Sequence, residues 1–89
     1  MSTFPLKIST PEGLKFDAEA ERIVIRGVLG DLAVLAGHVP MMTTVKEGTC
    51  RVVTADGKTR QGKTRGGILT VGKERVIALL AGWEEEPAG

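Results

Sequence analysis

The sequence is short of most groups that carry chemistry. Its 89 residues hold one cysteine, Cys50, one histidine, His38, and no tyrosine. A lone cysteine excludes an internal disulfide framework and a multi-cysteine zinc site. The aromatics are Phe4, Phe16 and Trp83 alone, too few for a run of base-stacking platforms. Neither sign of charge dominates: 12 Lys and Arg stand against 11 Asp and Glu, for a formal net charge of +1. That balance gives no reason to expect DNA or an anionic membrane as the main partner. No apolar run approaches the ~18 residues of a membrane-spanning helix. Residues 1–6 lack the basic start and apolar stretch of a signal peptide. The expectation is a soluble intracellular domain. The length allows one core, not two, and the 42% hydrophobic content is enough to build it.

What the sequence does have is glycine. Twelve glycines cut the chain into short segments, too short for long helices. Between them the pattern alternates with period two. Phe4, Leu6 and Ile8 point one way, with Pro5, Lys7 and Ser9 the other, which predicts a first strand. Thr10-Pro11-Glu12-Gly13 reads as a turn. Residues 14–16 predict a second strand, residues 17–21 a polar connection or more extended chain, and Ile23-Val24-Ile25 a buried strand. Further strands are expected at 32–35, 41–45, 49–55, 59–65, 68–71 and 75–81. Asp56-Gly57 suggests a type I′ hairpin turn, and Gly72-Lys73-Glu74 a second hairpin. Helix propensity peaks at residues 18–22, a stretch too short to stand alone. About nine short strands without a helix predict an all-β sandwich or barrel.

Each candidate site has a plainer competitor. Cys50 and His38 would form a nucleophile pair only if in contact and oriented by a third group. Cys50 alternates with Arg51 and Val52 in a strand, and reads as a small core residue. A metal site would need scattered carboxylates beside them. Gly66-Gly67 precedes a strand and lacks the Gly-Lys-Ser/Thr ending of a phosphate loop. Asp17, Glu19 and Glu21 alternate on one face, as a solvated edge does. Lys58, Arg60, Lys63 and Arg65 make a basic stretch that could bind nucleic acid, but no aromatic interleaves them, and a solvated strand face is the simpler reading. The loop from Gly27 to Met42 differs. It gathers Val28, Leu29, Val39, Met41 and Met42 near turns, with Asp31 and His38 among them. They form either a contact surface or the roof of the domain's own core.

That same loop carries a resemblance. Gly30-Asp31-Leu32-Ala33-Val34-Leu35-Ala36-Gly37-His38-Val39-Pro40-Met41-Met42-Thr43 resembles the signature loop of the epsilon subunits of bacterial F-type ATP synthases. Ala33 replaces a usual glycine, Ala36 a usual proline, and Leu29 a common acid. Thr10-Pro11-Glu12-Gly13, Lys46-Glu47-Gly48 and Gly66-Gly67-Ile68-Leu69-Thr70-Val71 match further family blocks in order and spacing. The resemblance covers about residues 4–81. It implies a sandwich of two five-stranded antiparallel sheets over residues 1–83, with residues 84–89 a polar tail. Family members usually continue into a two-helix hairpin, for which this sequence has no counterpart.

The resemblance also implies a non-catalytic place in the central stalk of the rotary enzyme. The sandwich would link the gamma subunit to the membrane rotor ring, on the cytoplasmic side of a bacterial membrane and without inserting into it. It implies no catalytic residue, metal or cofactor in this domain, and no nucleic acid partner. Thr10, His38, Thr43, Met41 and Met42 map to the gamma side. Val28, Leu29 and Asp31 map to the ring side, where Asp31 would sit in a turn and oppose a basic ring loop.

Overall fold

The computed structural model describes residues 2–87, and they contain nine strands and no helix. These are β1 (Phe4–Thr10), β2 (Gly13–Gly27), β3 (Gly30–Leu35), β4 (Met41–Val45), β5 (Gly48–Thr54), β6 (Thr59–Thr64), β7 (Gly67–Val71), β8 (Val76–Leu80) and β9 (Glu84–Glu86). The two short strands expected around residues 14–16 and 23–25 are one strand, β2, of 15 residues. At ~3.3 Å per residue it would be about 50 Å long if straight. The molecule is at most 29 Å across, so β2 bends. Its register with β5 shifts between Ala20 and Arg22, the mark of a bulge.

The bend lets β2 serve both layers of a sandwich. Its first half pairs with β1, and the layer continues through β8 and β7 to β4. Its second half pairs with β3 on one side and β5 on the other, followed by β6 and β9. Counting β2 in each, both layers have five strands, as expected. All pairings are antiparallel except β1 with β8, which run parallel. Gly27 also pairs with Val45, so β4 closes one corner between the layers.

The core follows from the alternation. Phe4, Leu6, Ile8, Ile23, Ile25, Cys50, Val52, Leu69, Val71, Val76, Ala78 and Leu80 are buried between the layers. Each large aliphatic side chain among them contributes about 1.5–3 kcal/mol by leaving water. The Gly66-Gly67 pair turns the chain from β6 into β7 with φ of +116° and +152°. A β-carbon on Gly66 would stand 2.6 Å from the Val45 carbonyl, and one on Gly67 would collide with the Leu79 carbonyl. Glycine is needed there for backbone conformation and for space.

Two local expectations change. The Asp56-Gly57 turn is not type I′, because only Gly57 has positive φ (+84°). Gly57 N donates to Thr54 O at 2.9 Å and Thr54 N to Lys58 O at 2.8 Å, which is a three-residue loop closed by a left-handed glycine. The Asp56 carboxylate accepts from the Thr54 hydroxyl and the Lys58 N–H across this loop. Residues 84–86, expected as part of a tail, are strand β9 on the edge of β6. Residues 88 and 89 of that expected tail lie outside the described residues.

Candidate functional site

The β2–β3 hairpin projects from one end of the sandwich. Its tip is Val28-Leu29, with Leu29 fully solvent-exposed (102%) and Val28 exposed at 56%. Asp31 lies not in the turn but in β3, cross-strand from Arg26, and is exposed. The three residues expected to face a ring therefore gather at one apolar, acid-flanked tip. Arg26 O accepts from Lys46 N at 2.8 Å, which ties the hairpin base to the end of β4.

The outer face of the layer β2–β1–β8–β7–β4 is apolar. Cross-strand partners share a face, so the register gives two adjacent rows. Thr44, Ile68, Leu79, Ser9 and Leu14 form one. Met42, Thr70, Ile77, Lys7 and Asp17 form the other. Met42, Ile68, Leu79 and Leu14 are 69%, 45%, 56% and 54% exposed. Several large aliphatics side by side on one sheet face mark a contact surface. Of these only Met42 was expected at an interface. Ile68 and Leu79 sit in runs that are apolar on both faces, Ile68-Leu69 and Leu79-Leu80, and the run does not say which member faces out.

The residues expected on the gamma side are spread along this layer. Met42 points outward. Met41 is half-buried and packs against the core. Thr43, also half-buried, pairs with buried Leu69. His38 lines a small cleft of about 160 Å³ with Phe4, Val71 and Val76, and its Nδ1 lies 2.8 Å from Val39 O. Thr10 lies at the other end of the layer and is 9% exposed. Its hydroxyl donates to Gly13 O at 3.2 Å and accepts from Glu12 N at 3.1 Å, closing the β1–β2 turn.

Chemistry finds no foothold at Cys50. The thiol is fully buried, and burial pushes its pKa up to about 12, whereas a nucleophile needs the thiolate. Among the described residues no three His, Cys, Asp or Glu side chains are grouped to hold a metal ion.

The basic stretch is divided rather than displayed. On β6, Arg60 alternates with buried Gly62 and Thr64, while Lys63 lies on the opposite face. Arg60 makes a fork-like contact with Glu85, at 2.9 Å from Nη2 and 3.3 Å from Nε. It also donates to Lys15 O at 3.3 Å and stacks 5.4 Å over the Phe16 ring. Lys63 pairs cross-strand with Glu84. Strand β9 thus sets its carboxylates beside the cations of β6. Arg60 and Trp83 Nε1, the latter at 2.8 Å, both bond Glu85. They hold its carboxyl below the usual range, the arginine contributing most.

Residues 3–85 match the family described as ATP synthase, delta/epsilon chain, β-sandwich domain. The chain is 46% identical over 86 residues to the sodium-ion-specific ATP synthase epsilon chain of Acetobacterium woodii, covering 94% of this chain and 65% of that one. It is 35% identical over 88 residues to the epsilon chain of Caldicellulosiruptor saccharolyticus, covering 97% and 64% respectively. The chain thus spans slightly less than two thirds of these relatives' length. Among solved structures, a chain of the Euglena gracilis mitochondrial ATP synthase superposes with a TM-score of 0.88 at 22% identity, covering 96% of this chain and 54% of that one. One from the central stalk and c-ring of the Tetrahymena thermophila enzyme gives a TM-score of 0.76 at 12% identity, covering 92% and 66%. At those identities the two structures bear on the fold alone.

Proposed function

The chain belongs to the ATP synthase delta/epsilon chain β-sandwich family, and on that premise we propose that it is a non-catalytic rotor element of an F-type ATP synthase. It would fasten the gamma subunit to the membrane rotor ring, so that torque passes between ion flow and nucleotide sites on other chains. The observation that carries this reading is the placing of two exposed apolar surfaces on one small rigid body. The outer face built on Met42, Ile68, Leu79 and Leu14 meets gamma. The Val28-Leu29 tip, with Asp31 beside it, meets the ring. His38 and Met41 border the gamma-facing layer, and Thr43 supports it from behind. Thr10 enters only through the turn it holds.

Both contacts set exposed aliphatic side chains beside polar ones, and the outer face adds Met42. A two-ended linker needs stiffness, and a continuous nine-stranded sheet with a closed corner supplies it. The location on the cytoplasmic side of a bacterial membrane follows from the same assembly. The nucleic-acid alternative loses support from the ion pair and cross-strand acids that occupy the residue 58–65 strand. The test is reconstitution: the chain mixed with its gamma subunit and ring should co-elute with both. Co-elution with neither, alongside salt-sensitive binding to single-stranded nucleic acid, would overturn the reading.

A further inference from the structure

The opposite outer face, on the second layer, has a different character. Along β2 the outward residues are Arg22, Val24 and Arg26, and on β5 they include Arg51 and Val53. Val24 pairs with Arg51 on one side and Ala33 on the other, and Arg22 pairs with Val53 and Leu35. Three exposed arginines therefore surround Val24, within a frame of Leu35, Ala33 and Val53. None of the three forms an ion pair; among the described residues that role falls to Arg60 with Glu85. Asp31 stands at one corner, and Glu84 and Glu86 lie on the far edge. The middle of the face is cationic, although the whole chain is nearly neutral at +1.

Two of the arginines are laid down rather than projecting. The stem of Arg26 crosses Gly48, where a β-carbon would stand 3.0 Å from its Cδ. Arg51 Nε donates to Gln61 Oε1 at 3.0 Å. Beside Arg22 lies a shallow cavity of about 390 Å³, walled by Leu35, Ala36, Val53 and Glu21.

We propose that this face docks an acidic amphipathic protein helix, with carboxylates on Arg22, Arg26 and Arg51 and an apolar side chain in the cavity beside Leu35. The proposal draws on a face other than the gamma contact, and it meets the ring contact only at Asp31, the cross-strand partner of Arg26. Charge complementarity selects the acidic partner. Arginine forks at fixed positions suit carboxylates presented at fixed spacing, where a diffuse anionic surface would be served as well by mobile lysines. The spacing agrees: Arg22 and Arg26 are four residues apart on a strand, roughly 13 Å. Carboxylates two helical turns apart are separated by about 11 Å, so one helix lying along β2 reaches both.

The test uses the whole chain, isotope-labelled, and a synthetic helical peptide of about 18 residues, roughly five turns. The peptide has glutamates seven apart and leucines between them. Its control carries glutamine for glutamate. The acidic peptide should shift the amide resonances of residues 22–26 and 51–53, and should bind at least about tenfold more tightly than the control or in about 0.5 M salt. The double variant Arg22→Gln/Arg51→Gln should lose a similar factor while its remaining spectrum stays unchanged. No binding of the acidic peptide, or equal binding of the glutamine control, overturns the proposal, and both measurements use the wild-type chain. Two further arms separate other anions: phosphatidylserine-containing vesicles and inorganic phosphate. Tighter binding of either through the same arginines would overturn the peptide proposal in favour of a lipid surface or a simple anion site.

Discussion

The indole of Trp83 covers Gly62 so closely that a β-carbon on Gly62 would collide with the ring. Gly62 is the buried midpoint of β6, and Trp83 leads into β9. This packing, with the Arg60–Glu85 pair, fixes the last strand to the sandwich. Gly62→Ala should displace the indole and cost about 1–3 kcal/mol through overpacking. Denaturant unfolding measures the loss. Trp83 is the one tryptophan in the sequence, so its fluorescence should shift to the red in the same variant.

The clasp should also respond to acid. Glu85 has its folded pKa held below the ordinary 4.5. A carboxyl with a depressed folded value adds stability above its unfolded pKa, and that stability is lost as pH falls through the folded value. Both side chains of the pair are well exposed, 37% for Arg60 and 50% for Glu85, so the effect is below about 1 kcal/mol and weakens in salt. Trp83 fluorescence followed from neutral pH to below 4.5 should report β9 loosening in the wild type. Glu85→Gln should give the loosened signal at neutral pH and a flatter acid titration.

Cys50 supplies a test that separates a structural subunit from a thiol enzyme. Its buried thiol, with a pKa near 12, should resist alkylation in the folded chain and react only on unfolding. Cys50→Ser should destabilise by about 1–3 kcal/mol, because the hydroxyl would lack a partner in an apolar core. Function in the assembled enzyme should survive wherever the variant folds.

The hairpin tip predicts a ring-specific defect. Leu29 is fully exposed, so Leu29→Asp should leave the unfolding midpoint unchanged and weaken ring docking by about tenfold or more, since it puts a charge into an apolar contact. Asp31→Lys should weaken docking more than Asp31→Asn, with the gap closing at high salt. Docking of all three at wild-type strength in low salt would remove the tip from the interface.

Most of the fold was legible in the sequence because glycines mark the turns and single-sided strands alternate cleanly, as Phe4, Leu6 and Ile8 do. Three features were not. The sequence leaves residues 17–21 open between a polar connection and extended chain because residues 17–19 are all exposed, so the alternation of β2 lapses just before its bulge. Strand β9 is three glutamates, a poor strand sequence, held by cations that lie distant in the chain. The outer apolar face was hidden within runs such as Ile68-Leu69, where the register, not the composition, decides which side chain faces water. The hairpin tip was legible because Val28 and Leu29 are apolar beside a glycine turn, although Asp31 proved to be on the strand.

The central claim is that the outer face of β1, β4, β7 and β8 is the gamma-binding surface. Its most direct test is the affinity of the purified chain for its gamma subunit, compared between wild type and Ile68→Asp, with unfolding measured on both. Ile68 is 45% exposed, so the variant should fold nearly as stably as wild type yet bind gamma at least about a hundredfold more weakly, a loss of roughly 2.7 kcal/mol at a central contact. Equal affinity in the two folded chains would contradict the account.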